Sequence, residues 1–207
     1  MDNGFLFLAN QPALDFLNTR PVLNGGAVEL LSDFDALLRW FRAAGLLTGH
    51  EAERLQQRWG DSVRSRRVVE SVLELRERLR SEVLRWEAGA PVHRSTLEEL
   101  NRLMAARPML TKLKATGEGL SRELWFESGE PEGLLAPLAH AAATLFGDVD
   151  RERVRKCGEC VLHFQDTSKK GTRRWCSMQL CGNRQKVAAY AARRQKGAAS
   201  RDTIQER

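Results

Sequence analysis

The chain has 207 residues, of which 42% are hydrophobic and 29% are charged, a composition that excludes a disordered or fibrous protein. No stretch of about 18 consecutive apolar residues occurs, so the sequence predicts neither a transmembrane helix nor a membrane partner. The net charge of +6 is unevenly divided: residues 1–150 contain 18 Lys and Arg against 22 Asp and Glu, whereas residues 151–207 contain 15 against 5. This asymmetry predicts a nucleic-acid or other anionic partner for the second part.

The N-terminal residues predict a cytoplasmic protein. The stretch from Met1 to Leu8 includes a short apolar patch, but no Lys or Arg precedes it. Because a secretory signal peptide begins with a basic region, this pattern differs from that of an exported protein.

The N-terminal part of the chain is predicted to be mainly helical. The first helix is predicted to begin with Ser32 as its N-cap and to end at Gly45. Thr48-Gly49-His50-Glu51 has the spacing of a capping box and predicts a second helix through Trp59. The most regular apolar periodicity, with steps of three or four, covers residues 68–86 and predicts the third helix.

Two further helices enclose a predicted hairpin. Ser95-Thr96-Leu97-Glu98 also has the spacing of a capping box and predicts the fourth helix. Pro131 suits the first turn of the fifth helix, which is predicted to end at Gly147. Between them, residues 109–115 and 120–127 are predicted to form a β-hairpin around a four-residue turn.

The four cysteines all lie in the basic region, with the spacing Cys157-x2-Cys160-x15-Cys176-x4-Cys181. Two close pairs fit one tetrahedral zinc ion, because each pair can occupy a tight turn with its thiolates about 2.3 Å from the metal. Four protein ligands leave no position for water, so one structural zinc per chain is predicted. The alternatives are free buried cysteines or disulfides, and the latter are disfavoured without an export signal. His163 could replace a cysteine as a ligand, but we interpret it as a surface or hairpin residue.

Together these patterns predict a mainly α fold with a small β-hairpin over residues 1–147. A small zinc-stabilised module that ends in a helix follows over residues 148–207, and residues 148–155 are predicted to continue as helix into the first cysteine. The module has too few apolar residues to fold without its metal, so chelation is predicted to unfold residues 157–194. Residues 1–145 are predicted to keep their helicity, because their core contains no metal ligand.

A basic helix is predicted after the fourth cysteine, with Asn183 as its N-cap. At about 100° per residue, its cations and one tyrosine share a face, whereas Val187, Ala188 and Ala191 lie opposite and can pack on the zinc turns. Two arginines also precede the third cysteine directly. The residues predicted to contact nucleic acid are therefore Arg173, Arg174, Lys186, Tyr190, Arg193 and Arg194. The alternative is a solvated helical face with no partner.

The cysteine-rich region resembles the CGNR zinc-finger family. The resemblance rests on four segments, namely Cys157-Gly158-Glu159-Cys160, Phe164 with Asp166-Thr167-Ser168, Arg173-Arg174-Trp175-Cys176-Ser177-Met178, and Cys181-Gly182-Asn183-Arg184 with Lys186-Val187. His163 and Gln165 depart from the apolar residues expected around Phe164. The resemblance implies DNA binding and a role in the control of transcription.

Residues 1 to about 145 resemble the ABATE domain, which commonly precedes this finger. The resemblance rests on Ala13-Leu14-Asp15-Phe16-Leu17-Asn18-Thr19 and on the hairpin before the last long helix. It implies a stress-induced transcription regulator whose domain binds a small effector, with Asn10, Asp15 and Asn18 as the polar ligand-binding candidates. Alternatively, Asp15 and Asn18 cap or pin the local backbone.

These observations predict a DNA-binding transcription regulator, which could act as a homodimer. An RNA-binding or ribosome-associated zinc protein is the alternative, since the same basic finger would serve both. Enzymatic activity is not expected: Arg54 stands where the second histidine of an H-E-x-x-H site would be needed. Neither a Walker phosphate loop nor a G-x-G-x-x-G motif occurs in the sequence.

Overall fold

A computed structural model describes residues 4–23, 26–117, 119–125, 129–188 and 190–191. Six α-helices precede residue 150 in these ranges: α1 (Pro12–Leu17), α2 (Phe34–Ala43), α3 (Gly49–Trp59), α4 (Val63–Glu87), α5 (Arg94–Ala106) and α6 (Leu135–Asp148). The described strands form three antiparallel pairs: β1 (Val22–Leu23) with β2 (Gly26–Ala27), β3 (Leu110–Thr116) with β4 (Gly119–Trp125), and β5 (Val154–Lys156) with β6 (His163–Gln165). A π-helical turn, Met178–Gly182, continues as helix through residues 183–188. The predicted mainly α fold with small β elements is confirmed.

Side-chain caps fix the beginnings of α2 and α3. The capping box of α3 is confirmed: Thr48 Oγ1 accepts the Glu51 N–H at 3.3 Å, and the Glu51 carboxylate accepts the Thr48 N–H at 2.8 Å. In α2 the N-cap is Asp33 rather than the predicted Ser32. The Asp33 carboxylate accepts the Ala36 N–H at 2.8 Å, while the Ser32 hydroxyl donates to that carboxylate.

The predicted third helix is confirmed as α4, whereas the capping box predicted for the fourth helix is wrong. α5 begins at Arg94, one residue before Ser95, and its N-cap His93 makes no side-chain cap bond. Instead the buried carboxylate of Glu82, on α4, accepts the His93 N–H at 2.9 Å. A side chain of the neighbouring helix α4 therefore accepts the free N–H group at the start of α5. None of the helices in the described ranges is both long and apolar enough to cross a bilayer.

The predicted hairpin is confirmed as β3 and β4, whose register runs from Leu110 opposite Trp125 to Thr116 opposite Gly119. Pairing extends to Thr116 and Gly119, two residues that the prediction places in the turn. The helix predicted from Pro131 is confirmed as a 3₁₀ turn followed by α6. The predicted helical continuation over residues 148–155 is wrong, because a 3₁₀ turn and then β5 follow the end of α6.

α1 is a short helix that the sequence patterns did not predict. Its N-cap is Gln11, whose side-chain oxygen accepts the N–H groups of Ala13 and Leu14, and Pro12 occupies its first position. Nearly the whole helix is buried, so it lacks the polar face that periodicity would detect. α1 packs against α6 and also against β6.

The hydrophobic core is continuous between the helices and the C-terminal module. Near α1 and α2, the Trp40 ring lies 5.5 Å from Phe16 and 5.4 Å from Phe41, centroid to centroid. Val154 and Phe164, on the β5–β6 hairpin, belong to the same apolar cluster, and Phe164 is fully buried. The module is thus packed into the core of the helical part.

Candidate metal centre

The first two cysteines lie in the connection of the β5–β6 hairpin. Lys156 pairs with His163, so Cys157 and Cys160 fall between the paired ends of the strands. The Cys157 N–H donates to the Leu162 carbonyl at 2.9 Å and closes this connection. The hairpin therefore fixes the position of both thiols.

The second pair of cysteines lies at the start of the final helix. Ser177 is the N-cap of the π-helical turn Met178–Gly182, and its carbonyl accepts the Cys181 N–H at 3.0 Å. The Cys176 N–H donates to Cys157 Sγ at 3.4 Å. This bond ties the second pair of cysteines to the first.

The four sulfurs form a cluster with the dimensions of a tetrahedral metal site. All four Sγ atoms lie within 4.8 Å of one another. The distances from Cys160 to Cys176 and from Cys176 to Cys181 are both 3.6 Å. Tetrahedral zinc with bonds of about 2.3 Å separates its sulfurs by roughly 3.8 Å, so the donor set fits this ion.

The thiols of this cluster differ in acidity. A hydrogen bond from the Cys176 thiol lowers the pKa of Cys160 to about 5, and the same bond raises the pKa of Cys176 above its usual range. Burial raises the pKa of Cys181 to about 12. Because adjacent thiolates repel one another, a divalent cation is the group that allows all four cysteines to ionise together.

Glycines beside the ligands make room for Trp175. A Cβ atom on Gly158 would lie 3.1 Å from Cζ3 of the indole. One on Gly182 would lie 2.6 Å from the Met178 sulfur and 3.3 Å from Cδ1 of the indole, so Gly182 makes room for Met178 as well. All three distances are tighter than ordinary van der Waals contact. The two glycines that follow Cys157 and Cys181 therefore let the indole pack between the two turns that carry the ligands.

A buried carboxylate orders the segment between β6 and the third cysteine. Asp166 accepts the N–H groups of Ser168 at 2.9 Å and of Arg173 at 2.8 Å. Burial alone would raise the pKa of Asp166, but these hydrogen bonds and the nearby Arg155 guanidinium lower it below its usual range. Asp166 thus stays ionised and fixes the backbone that leads to Cys176.

The two arginines before Cys176 have different surroundings. Arg173 donates to the carbonyl oxygens of Trp175 and Cys176, and its guanidinium carbon lies 4.7 Å from the Phe164 ring centroid. Arg174 is exposed, and its guanidinium carbon lies 5.0 Å from the Trp175 ring centroid. Arg173 is therefore engaged by the framework of the module, whereas Arg174 is accessible to a partner.

The final helix differs from its prediction in two respects. It begins with the π-helical turn capped by Ser177, so Asn183 lies within the helix and is not its N-cap. Val187 is 68% exposed, and Ala188 and Ala191 are exposed as well, so they do not pack on the zinc turns. After residue 182 the described part of the helix is exposed except at Gln185, which is partly buried and donates to the Glu159 carboxylate of the module.

Two of the nucleic-acid candidates on this helix are described. Lys186 and Tyr190 are both exposed, Tyr190 by 57%. Arg193 and Arg194 lie outside the described residues. A contact of any of these four residues with nucleic acid remains a prediction.

His163 lies on the hairpin as expected, but it is buried rather than on the surface. It is separate from the four-sulfur cluster. Its Nε2 lies 3.4 Å from the carboxylate of Glu87, the last residue of α4. His163 therefore joins the metal-bearing module to the helical part of the molecule.

The three predicted effector-binding residues lie at the same junction. Asn18 donates to the His163 carbonyl and accepts the His163 N–H, each at 2.9 Å. Asn10 adopts a left-handed backbone conformation and donates to the Gln165 carbonyl at 3.1 Å. The buried Asp15 carboxylate accepts the N–H groups at residues 8 and 9. Through these hydrogen bonds the three side chains hold backbone segments in place. An effector-binding role for the three residues remains a prediction.

The buried Asp15 predicts a dependence of stability on pH. Burial raises the pKa of Asp15 from 3.8 to about 6, even though hydrogen bonds from Ala9 and Leu8 oppose this rise. The folded protein then holds this proton more tightly than the unfolded chain, so we expect the contribution of Asp15 to stability to fall as the pH rises from about 4 to 6. In Asp15→Asn this fall, on the order of 2 kcal/mol, should disappear.

The measurement is urea denaturation of the wild type and of Asp15→Asn between pH 4 and 7. Both proteins contain the same cysteines, so the effect of cysteine protonation cancels when the free energy of unfolding of one protein is subtracted from that of the other. Parallel stability curves for the two proteins would contradict the expectation.

The sequence matches two known protein families. Residues 10–149 match the family ABATE, described as "Putative stress-induced transcription regulator". Residues 153–194 match the family described as "CGNR zinc finger". No curated protein matches the chain. Together with the cluster of four sulfurs, the second match confirms the prediction of one structural zinc, held by Cys157, Cys160, Cys176 and Cys181.

Proposed function

Since the chain belongs to the ABATE family of "Putative stress-induced transcription regulator" proteins and carries a CGNR zinc finger, we propose that it regulates transcription by binding duplex DNA through the finger. In this proposal the helical part receives a small effector, and the molecule acts by binding rather than by catalysis. Zinc supplies the fixed geometry of the finger when bound, and Cys157, Cys160, Cys176 and Cys181 would hold it.

The observation that carries the proposal is a set of unpaired cations on the finger. Between residues 153 and 188, six exposed cations form no ion pair with any described residue, and the same stretch contains two carboxylates, Glu159 and Asp166. These cations are Lys156, Lys169, Lys170, Arg174, Arg184 and Lys186. Unpaired cations keep their counterions available for release when they meet phosphate groups, and this release drives binding to DNA. An ordinary solvated surface would mix both signs of charge more evenly.

The helical part differs in its balance of charge, because its acidic residues outnumber its basic ones. Some of its arginines, such as Arg67, Arg85 and Arg102, are exposed and form no ion pair with a described residue either, but many others are paired. Carboxylates lie within ion-pair distance of Arg20, Arg39, Arg58, Arg64, Arg76, Arg78, Arg80 and Arg94. The resulting net negative charge opposes the approach of phosphates. The balance of charge therefore favours the finger as the part that contacts nucleic acid.

The test removes single cations from the full chain and measures binding to a duplex of random sequence over a range of salt concentrations. Arg174→Ala and Lys186→Ala should each reduce the slope of log K against log salt by roughly 0.9 if each cation meets one phosphate. Arg102→Ala, which removes an equally exposed charge from α5, is the matched control and should leave the slope unchanged. Zinc content is measured for every variant.

A single-stranded RNA of the same length, measured in parallel, addresses the alternative partner. Tighter binding to the RNA at equal salt would replace DNA by RNA in the proposal. If neither variant of the finger changes affinity or slope on either nucleic acid, the exposed cations are only a solvated surface and the proposal is wrong.

A further inference from the structure

A cavity of about 510 Å³ lies in the helical part, far along the chain from the metal site. Its walls come from the start of α2, the end of α3 and the first turns of α4. Phe34, Val69 and Leu73 supply an apolar surface, and the first two of these side chains are buried. The volume lies within the usual range of small-molecule sites, about 300–1,000 Å³.

Among the described residues, the polar lining of this cavity contains one buried acceptor without a donor and two exposed carboxylates without a partner. The side-chain oxygen Oε1 of Gln56 is buried and has no hydrogen-bond partner in the described part of the chain. Asp61 and Glu70, which are exposed, form neither an ion pair nor a carboxylate hydrogen bond with any described residue. A buried acceptor without a donor is unfavourable, so its presence at a cavity wall points to a ligand that supplies one.

The other charged groups of the lining are already engaged. Asp33 caps α2 through the Ala36 N–H, and Asp35 forms an ion pair with Arg39 at 2.9 Å. The cation of the lining, Arg66, donates to the backbone carbonyl at residue 61 at 3.0 Å. What remains for a ligand is therefore one amide oxygen, two carboxylates and an apolar wall.

We propose that this cavity binds a small organic cation, namely an amine or guanidinium group attached to an apolar body. Its N–H donors would meet Gln56 Oε1 and the carboxylates of Asp61 and Glu70, while its apolar body would lie against Phe34 and Leu73. Four carboxylates and one guanidinium line the cavity, so an anion would meet net negative charge there, and a purely apolar molecule would leave the amide oxygen without a donor. This cavity is then the binding site of the small effector, and the effector is an organic cation. Binding of the cation does not depend on the proposed function, whereas an effect of the cation on transcription does.

α4 links this cavity to the finger. Its first turns line the cavity, and its last residue, Glu87, lies 3.4 Å from His163 of the finger. A helix of 25 residues spans roughly 37 Å. The cavity and the base of the finger thus adjoin opposite ends of the same helix.

The experiment measures binding of 2-phenylethylamine to the full zinc-loaded chain by calorimetry, without nucleic acid. 3-Phenylpropionate, similar in size but opposite in charge, is the comparison ligand. The amine should bind and the carboxylate should not. Asp61→Asn and Glu70→Gln should each weaken binding of the amine by at least about threefold, whereas Glu74→Gln, one turn further along α4 and outside the lining, should leave binding unchanged.

Absence of amine binding up to about 10 mM, equal binding of the two ligands, or unchanged binding in both cavity variants would overturn the proposal. Because DNA takes no part in this measurement, a failure of the proposed DNA binding leaves its outcome intact. Conversely, loss of the amine site alone leaves the salt dependence of DNA binding unaffected.

Discussion

Removal of zinc by a chelator should unfold the finger and, in addition, lower the stability of α1 and α6. The first effect follows from the small size of the strands β5 and β6, which have three residues each and depend on the metal to hold their connection. Structural zinc contributes apparent binding free energies of about 10–16 kcal/mol in isolated finger peptides. The second effect follows from the shared core, because α1 packs between α6 and β6.

This expectation goes beyond the prediction made from the sequence, in which residues 1–145 keep their helicity after chelation because their core contains no metal ligand. That prediction assumed separate cores, but Val154 and Phe164 of the finger lie in the same apolar cluster as the helices. We therefore expect hydrogen exchange to become faster in α1 as well as in the finger after chelation, while α2 and the first half of α4 keep their protection.

The measurement is hydrogen exchange of the full chain with and without a chelator, combined with metal analysis. Cys160→Ser and Cys181→Ser serve as variants that lose the metal without chelator. Unchanged protection of α1 in the chelated protein would show that the two parts are independent after all. Zinc bound at full stoichiometry in both serine variants would refute the assignment of the ligands.

Phe164→Ala should produce the largest loss of stability among single core substitutions in the finger. The Phe164 side chain is fully buried, and Arg173 packs over its ring at 4.7 Å. Truncation of a buried aromatic side chain costs about 3–5 kcal/mol through lost burial and the cavity left behind. Because Phe164 lies on β6 against α1, this loss should destabilise both sides of the junction.

Urea denaturation of the zinc-loaded variants measures this loss. Phe164→Leu, which keeps much of the volume, should cost less than about 1.5 kcal/mol and still fold if the alanine variant does not. Leu113→Ala is a control on the exposed face of β3, where the side chain is 69% exposed, and should change stability by no more than about 0.5 kcal/mol. A cost below about 1 kcal/mol for Phe164→Ala would contradict a shared core.

Local patterns predicted the elements whose determinants are local. α4 and α3 follow from periodicity and from a capping box, and the zinc ligands follow from the spacing of four cysteines. The start of α5 could not be predicted in this way, because the group that accepts the His93 N–H is Glu82 on another helix. Ser95, which has the local pattern of a cap, lies one residue inside the helix.

The junction between the two parts could not be predicted, because it consists of contacts between residues distant in sequence. In the sequence, Asn18 is a polar residue of the N-terminal part and His163 is a residue near the zinc ligands, and no local pattern links the two. Only the fold brings them together, through two hydrogen bonds. The prediction that Val187 packs on the zinc turns is wrong, because Val187 is exposed. A helical wheel shows which residues share one face of a helix, but it does not show whether another part of the protein lies against that face.

The pairing of Asn18 with His163 also has a consequence for how the chain folds. The two residues are separated by 145 positions, so this contact closes a loop that contains most of the molecule. Contacts of such separation form slowly, and during synthesis α1 leaves the ribosome well before its partner strand β6 exists. We expect α1 to be the last helix to gain lasting protection in refolding, at the same step in which the finger captures its zinc. The availability of zinc would then determine how long the apolar surface of α1 remains exposed and able to form incorrect contacts.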